Sequence, residues 1–439
     1  MIERFDTIVV GAGVSGVAAA VASARHGAKT VLVEAGVCAG GMGSAGLVPC
    51  FTPFSYKSRP IVGGLLKELH DRLCENGGSD NSSWSLIDAE WMKMTCDAIL
   101  VEAGVDVRYL TTLIGVKAEN GRICEIEVLD RNGRYSLAAD NFIDCTGDAA
   151  LANAAGVAVL SGDKAGRTQA GSCCFVIAGV DVGKMLPEDL SEKSIPGMAY
   201  LTNTLRRYLP KWLANGDLEN TEDFEFHVAG GSLDFKHGVA RINFGHFYGL
   251  GCCDAAKISR MLIEGRRRVR EFVECLRKNM PGMENIILLA TPGLPDIRES
   301  RRIVGRTTLT GDAFWNGETH DDDIAIYDYC VDVHAMSLEE SSAGYTCEGM
   351  YERLLQTSID KYYGIPLGIC LTREFDNLAV AGRCVSATQE MLGALRVMPA
   401  SISTGQAVGT AAAMSKPLAF VDISKLRETL ANDGVILEY

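Results

Sequence analysis

The stretch that most limits what this chain can fold into is Asp6-Thr-Ile-Val-Val-Gly11-Ala-Gly13-Val-Ser15-Gly16. Ile8, Val9 and Val10 read as a strand buried on both faces, as in a parallel sheet covered by helices. Glycines follow at once. Gly11 permits a tight turn, Gly13 lets a pyrophosphate touch the backbone, and Gly16 lets the next helix pack close to the strand. Val17–His26 reads as that helix, its free N–H groups and positive dipole end turned to the phosphates. A second strand, Thr30–Val33, ends in Glu34, at the spacing where a carboxylate accepts the hydroxyls of an adenosine ribose. The expectation is a βαβ unit that binds a dinucleotide, with Gly11, Gly13, Ser15, Gly16, Glu34 and Ala35 at the ligand.

Five glycines then fall within eleven residues, Gly36 to Gly46. Such a segment cannot pack a core, but it can bring backbone N–H groups against a flat or anionic ligand. A nicotinamide-binding unit has no need of a second glycine loop here. An FAD-binding unit does, to wrap the rest of the dinucleotide, which places Gly40, Gly41, Met42 and Ser44 at the cofactor.

Further along, Gly64–Glu75 and Trp84–Ala103 read as helices. In the second, Trp91, Met94, Ala98 and Val101 recur at helical spacing and predict an apolar face. Short strands follow at Val107–Leu110, Leu113–Ala118, Arg122–Leu129 and Arg134–Ala138, the last three separated by Asn120-Gly121 and Asn132-Gly133 hairpin turns. Asn141–Asp144 reads as another strand. It leads into Thr146, Gly147 and Asp148, a glycine turn placed near the adenine or pyrophosphate end. From about Gly162 to Tyr363 the texture changes. Ser172–Val180, Phe224–Val228 and Val239–Phe244 read as strands of a different sheet, and Lys257–Lys278 as a helix whose Arg266-Arg267-Arg268-Val-Arg270 run is a solvated face. The tail returns to the first unit with a strand at Asn377–Ala381, then Gly382 and Arg383, and a helix of small residues from Ser403 on that carries Gly405 and Gln406. The N-terminus of such a helix stabilises negative charge on a reduced flavin.

At 439 residues the chain exceeds one ordinary core. The expected division is 1–160 and 365–439 as one discontinuous FAD-binding domain, with 161–364 as an inserted α+β substrate domain. The fold class is α/β, doubly wound and Rossmann-like. A formal net charge of −14 argues against nucleic acid or an anionic membrane as partner. No leader precedes the first strand and no run of about 18 apolar residues occurs, so a cytoplasmic protein without a membrane span is expected. The fifteen cysteines are scattered without a CxxC pair, which predicts reduced thiols and no metal site. The adjacent pairs Cys173-Cys174 and Cys252-Cys253 read as small core residues.

Taken together, GAGVSG, GGMGSAG, IDCTGDAALA, GHFYGLGCCDA, PDIRESRRIVG, VDVH and NLAVAGRCVSATQEMLGALRVMPASISTGQAVGTAAA resemble the FAD-dependent oxidoreductases distantly related to fumarate reductase and succinate dehydrogenase flavoproteins. The resemblance implies an enzyme that moves a hydride through flavin N5. Relatives with covalent flavin carry a histidine beside the glycine loop. Met42 to Ser44 hold none, which implies non-covalent FAD. Cys38 and Cys50 are too far apart for the dithiol motif of the disulfide reductases.

Flavin supplies the two-electron step, and the protein must handle a proton. His246 and His334 lie in two segments that look like family motifs and are the proton-carrier candidates, with Tyr362 and Tyr363 as alternatives. His26 and His70 fall in predicted surface helices. Arg298 and Arg301, three apart, would share a helix face and grip a carboxylate; salt bridges to Glu299 or Asp296 are the competing reading. Arg396 is placed at flavin or substrate, Arg383 at the cofactor. The expected partners are a small, polar or carboxylate-bearing substrate and an electron donor or acceptor, with oligomeric state open. A flavin-dependent isomerase or hydratase and an electron-transfer subunit are the alternatives.

Overall fold

A computed structural model describes residues 2–56, 59–82, 84–190, 198–251, 253–343 and 361–439. Strands β1 (Glu3–Val10) and β2 (Thr30–Val33) lie parallel, Val10 opposite Val33, and are joined by α1 (Val14–Arg25). Helices α2 (Gly64–Glu75) and α3 (Ala89–Glu102) follow. The face of α3 expected in the core is the outer one: Trp91, Met94 and Val101 are 36%, 51% and 72% exposed, whereas Met92, Cys96, Ile99 and Leu100 are buried. Both sets recur at helical spacing, so periodicity alone does not choose between them. Packing of α3 on α1 and α2 does.

β3 (Asp106–Arg108) pairs parallel with β2. β4 (Thr112–Glu119), β5 (Arg122–Asp130) and β6 (Gly133–Asp144) form an antiparallel meander. Asn120 and Gly121 both take positive φ, 49° and 72°, as a two-residue hairpin turn requires. The two strands expected at Arg134–Ala138 and Asn141–Asp144 are one. Nothing between them breaks a strand, and β1 pairs alongside from Leu137 to Asp144.

The second sheet is antiparallel: β7 (Phe175–Ala178), β8 (Met198–Tyr200), β9 (Phe224–Asp234), β10 (Val239–Phe247) and β11 (Ile287–Ala290), in the order β8-β9-β10-β7-β11. Phe224, Phe226, Val228 and Phe244 bury one face of it in a separate core with Trp212 of α4 (Thr202–Ala214) and Phe272 of α5 (Ala255–Asn279). Alternation then turns Glu225 and His227 to the opposite face. Along the arginine run of α5, Arg267 faces Glu264 and Glu271, but Arg268 is buried, its guanidinium 4.8 Å from the Phe224 ring centre. That arginine departs from the solvated-face reading.

From Ile303 onward the buried apolar side chains, Ala335 apart, belong again to the first core. The last part of the middle segment, including the antiparallel pair Asp323–Tyr327 and Tyr363–Pro366, therefore packs with the first sheet. β12 (Leu378–Val380) completes that sheet by pairing parallel with the end of β6, Val380 opposite Asp144, so the strands run β3-β2-β1-β6-β5-β4 with β12 beside β6. The buried Asn377 side chain bridges the handover, accepting from Ile123 N and donating to the Ile123 and Asp140 carbonyls. α6 (Gln389–Leu395) leads into α7 (Met398–Met414), which is buried almost all round and lies against α1. Its alanine and glycine content follows from that, since a helix covered on every side must be small or apolar on every side. Among the described residues every cysteine is a free thiol, Cys173 and Cys174 are buried, and no helix is long and apolar enough to cross a membrane. Cys252 lies outside the described residues.

Candidate active site

The opening turn, the glycine loop and the tail converge. Gly11 has φ 96°, and a Cβ there would meet the Cys145 carbonyl at 2.6 Å; a Cβ on Gly16 would stand 1.8 Å from the Gly11 carbonyl. Gly13 differs. A Cβ there would meet nothing nearer than the Cys145 carbonyl at 4.0 Å, so the first turn of α1 is open in front of Gly13. The glycine loop folds over this opening: Gly40 N–H donates to the Ala12 carbonyl at 2.9 Å, and a Cβ on Gly41 would lie 2.9 Å from the Gly13 Cα. A Cβ on Gly43 would touch the sulfur of Met398, the first residue of α7, at 3.3 Å. A Cβ on Gly382 (φ 79°) would meet the Ser15 hydroxyl at 2.7 Å. An opening bare of side chains at a helix N-terminus, rimmed by glycine backbone, fits the pyrophosphate of a dinucleotide.

Other expected cofactor residues take defined posts around this cradle. The Glu34 carboxylate, at the end of β2, accepts from Ala12 N and Gly36 N at 2.6 Å each. Ala35 is exposed beside it and Met42 is half-buried in the loop. Ser44 is fully buried and spends its hydroxyl on the Ala39 carbonyl at 2.6 Å, so it shapes the loop and does not face a ligand. Thr146 donates to Asp144 and accepts from Ala150 N, stapling the turn after β6 to the short helix Ala150–Ala155. Burial pushes the Asp144 carboxyl up, against the backbone N–H of Ala152 and the Thr146 hydroxyl, which favour its charge. Arg383 reaches Asp148 and Ser300 at 2.7 Å each, in contact with Gly147.

Two further expected cofactor residues, Gly405 and Gln406, are engaged in helix packing on α7. A Cβ on Gly405 would stand 2.1 Å from the Ser15 carbonyl, and the Gln406 amide oxygen accepts from Leu65 N at 2.8 Å. They join α7 to α1 and cap α2, because small residues and a polar cap serve helix packing as well as they serve a ligand.

The arginine pair is also corrected. Residues 297–300 are not helical and Arg301 begins a strand, so Arg298 and Arg301 share no helix face. Arg301 donates to the Asp148 carbonyl at 3.4 Å, whereas the buried Arg298 donates to the Ala170 carbonyl at 2.6 Å and lies 3.8 Å from Asp296. The Glu299 salt bridge belongs to Arg302, at 2.9 Å. His70 is likewise no surface residue: it is buried and contacts Ser85 and the Asp80 carbonyl.

His246 and His334, far apart in sequence, meet ring to ring, Nε2 to Nδ1 at 3.0 Å. His246 Nδ1 lies 3.1 Å from Glu225, its neighbour across the β9–β10 pair. His334 Nε2 lies 3.4 Å from Asp332, which in turn accepts from Arg396 at the end of α6. His227 stacks on His246 at 3.8 Å between ring centres. Glu225 escaped the sequence reading and His227 stands in it as a histidine without a motif context, although alternation in Phe224–Val228 puts both on the face opposite the phenylalanines. Glu225, His227 and His246 bring potential ligand atoms within 4.8 Å of one another. Both ring nitrogens of His246 are already engaged, however, and stacked rings do not aim their lone pairs at one point.

Two buried N–H donors beside this chain have no partner among the described residues: Arg396 Nε and Gln169 Nε2. Gln169 sits there because its amide oxygen accepts from His334 N at 3.1 Å.

Neutral-range titration, the reason for choosing histidine, does not survive burial. Burial, then the charge of Arg298, brings His334 down to about 4 despite Asp332, and burial lowers His246 and His227 in the same direction. A base whose folded value lies below its unfolded value of about 6.5 contributes stability above 6.5 and loses it as pH falls toward the folded value. Between pH 6.5 and 5 the His334 share of that loss is about 2 kcal/mol. Denaturant midpoints at pH 7, 6 and 5 should therefore fall with acid, and fall less in His334→Gln. Equal slopes would remove His334 from the account.

The sequence model of a family described as FAD dependent oxidoreductase matches residues 6–430. No curated protein matches the sequence. Among solved structures, the chain is similar to the OxyS anhydrotetracycline hydroxylase from Streptomyces rimosus (11% identity, 97% of this chain and 65% of that one, TM-score 0.46). It is also similar to a geranylgeranyl bacteriochlorophyll reductase-like protein from Thermoplasma acidophilum (11% identity, 100% and 93%, TM-score 0.45). A third is aklavinone-11 hydroxylase in complex with FAD and aklavinone (13% identity, 70% and 56%, TM-score 0.41).

Proposed function

The chain belongs to the family of FAD-dependent oxidoreductases, and from that premise we propose that it moves a hydride between flavin and a small substrate bearing a carboxylate or carbonyl oxygen. FAD, when bound, supplies the two-electron chemistry at N5. The protein holds the dinucleotide, places the substrate and carries a proton. The Gly11–Gly16 turn, Glu34 and Gly40–Met42 hold the cofactor, without a covalent link, since no histidine stands at Met42–Ser44. The motif kinship with fumarate reductase flavoproteins, and the split into a cofactor part and a substrate part carried by the second sheet, belong to this same reading.

The observation that carries the substrate class is the pair of unspent donors, Arg396 Nε and Gln169 Nε2, on side chains hydrogen-bonded to Asp332 and to the His334 backbone. A buried donor left unpaired costs about 1–3 kcal/mol, so a ligand oxygen that satisfies it gains affinity. Guanidinium also matches a carboxylate in shape and charge. His334, neutral at neutral pH, stands beside them as the group that takes the substrate's proton while the hydride leaves.

Anaerobic mixing of the yellow protein with hydroxy, amino and unsaturated acids tests this reading. Bleaching of the flavin by one of them is expected. Turnover that leaves the oxidised spectrum at steady state would instead mark an isomerase or hydratase. His246→Ala and His334→Ala should keep the yellow colour and lose on the order of 100-fold in kcat. Normal turnover in both would overturn the proton-carrier assignment.

A further inference from the structure

Resting on the proposed carboxylate end at Arg396 and Gln169, we propose that Ser232, Arg241 and Asn243 form a second subsite for the same substrate. It takes an uncharged hydroxyl or carboxamide at the far end of an elongated molecule. Orphaned polar atoms locate it. Among the described residues, eight buried side-chain nitrogen or oxygen atoms lack a hydrogen-bond partner, and six of them belong to Gln169, Ser172, Ser232, Arg241, Asn243 and Arg396. Buried polar groups are nearly always paired, so unpaired ones gathered in one place mark where a ligand completes the set.

The second sheet brings these atoms together. Leu233, Ala240, Ile242 and Phe244 lie in the core on one face of it. Alternation turns Ser232, Arg241 and Asn243 to the other face, the one that carries Glu225 and His227. Across the β9–β10 pair Ser232 stands opposite Arg241, and Gly230 opposite Asn243. On the approach to β7, Cys173 enters the core, so its neighbour Ser172 turns to the same face as Asn243. Gly230 keeps the space in front of that face clear. No left-handed φ calls for glycine there, and a Cβ would meet nothing nearer than the Asn243 Cβ at 3.8 Å. Five residues lead from Gln169 to Cys174, which continues the register of Phe175 opposite Ile242 and so lies beside Asn243. The two ends of the strip are therefore at most about 18 Å apart.

Charge and hydrogen-bonding capacity set the class of group. Arg241 donates from one guanidinium nitrogen to Asp88, the N-cap of α3, at 2.8 Å, so its charge is matched. Tyr200, opposite Ser232 on the other side, stands under the charge of Asp80. An added anion would meet Asp88 and Asp80, and an added cation would meet Arg241. The unpaired atoms are mixed: Arg241 Nη1 donates, Asn243 Oδ1 accepts and the Ser232 hydroxyl does either. A hydroxyl or a carboxamide both donates and accepts and answers all three, whereas a carboxylate brings acceptors alone.

Flavin difference spectra of the oxidised, FAD-loaded protein measure the affinities of straight-chain acids of about eight to fourteen carbons, matched to that span. The far end of each is a methyl, a hydroxyl, a carboxamide or a second carboxylate. At the best length the hydroxyl- or carboxamide-ended acid is expected to bind on the order of 10-fold tighter than the methyl-ended one, and Asn243→Ala to erase the difference. Equal affinities, a tighter dicarboxylate or no binding by any of them overturns the subsite. Gly230→Leu should keep the denaturation midpoint and weaken every acid by on the order of 10-fold, because its side chain fills the strip. A lower midpoint would mean that protein already fills that space, and unchanged affinities that the ligand does not use it; either overturns the subsite. Ser232→Ala should leave the midpoint of the acid-free protein equal or higher, since the hydroxyl it removes is unpaired; a lower midpoint overturns the subsite too. Bleaching by short acids depends only on the Arg396 end, so failure here leaves the proposed hydride transfer standing, and its failure is read separately.

Discussion

Gly13→Asp is expected to yield a colourless protein that is folded at least as well as the original. Gly13 is the N-cap of α1, with φ −60° and ψ 174°, and it has no side chain to cap the helix. Those angles suit any residue, and a Cβ would meet nothing within ordinary contact distance. Aspartate is among the best N-cap residues, so the unliganded fold should gain a few tenths of a kcal/mol. The carboxylate, however, would occupy the helix end that receives the pyrophosphate. Like charges brought together in a site cost several kcal/mol, which corresponds to FAD affinity weaker by on the order of 1,000-fold. Fluorescence titration with FAD measures the affinity, and thermal unfolding of the unliganded protein measures the fold. If the variant binds FAD normally, the dinucleotide does not lie at Gly13. If it loses FAD only because it unfolds, the expectation fails on its other half.

Gly409→Leu should do the reverse: destroy the fold before any question of cofactor arises. A Cβ on Gly409 would lie 2.2 Å from the Ala19 carbonyl and 2.8 Å from the Ala19 Cα. That neighbour is helix backbone, which cannot rotate aside. Forcing α7 off α1 opens the buried contact between two helices that cover the first sheet, and the expected loss is upwards of ~4 kcal/mol, in the range that marks core disruption. Chemical denaturation gives the number, and insoluble expression would be its extreme. A midpoint equal to that of the unchanged protein would mean that α1 and α7 are not in backbone contact. The two glycines sit in segments, a turn and a helix of small residues, that both read as approaching a ligand. One borders open space and the other borders a helix, and only the packing tells them apart.

The same division runs through the rest of the molecule. The first βαβ unit was legible because its constraints are local: a buried strand, glycines at fixed offsets and an acidic residue at the end of the next strand. His246 and His334 were legible as candidates but not as a pair, since 88 positions separate them and only the folded chain sets them 3.0 Å apart. Glu225 and His227 carried a readable signal, alternation with buried phenylalanines, yet lacked a motif to draw attention. Arg298 and Arg301 were misplaced because the spacing argument presumes a helix, and residues 297–300 form none. On α3 the spacing argument held and the face did not, because two sets of apolar residues share the helical period.

By itself, the sequence determined that a strand, a glycine turn and a helix form the first βαβ unit, that a glycine loop follows it, and that the tail returns to the first sheet. These are properties of neighbouring residues: backbone angles only glycine adopts cheaply, and strands that must be buried on both faces. Only the tertiary structure decided which glycines border open space, which face of a helix is buried, and which titratable groups touch. Those outcomes depend on what another part of the chain places within a few ångströms.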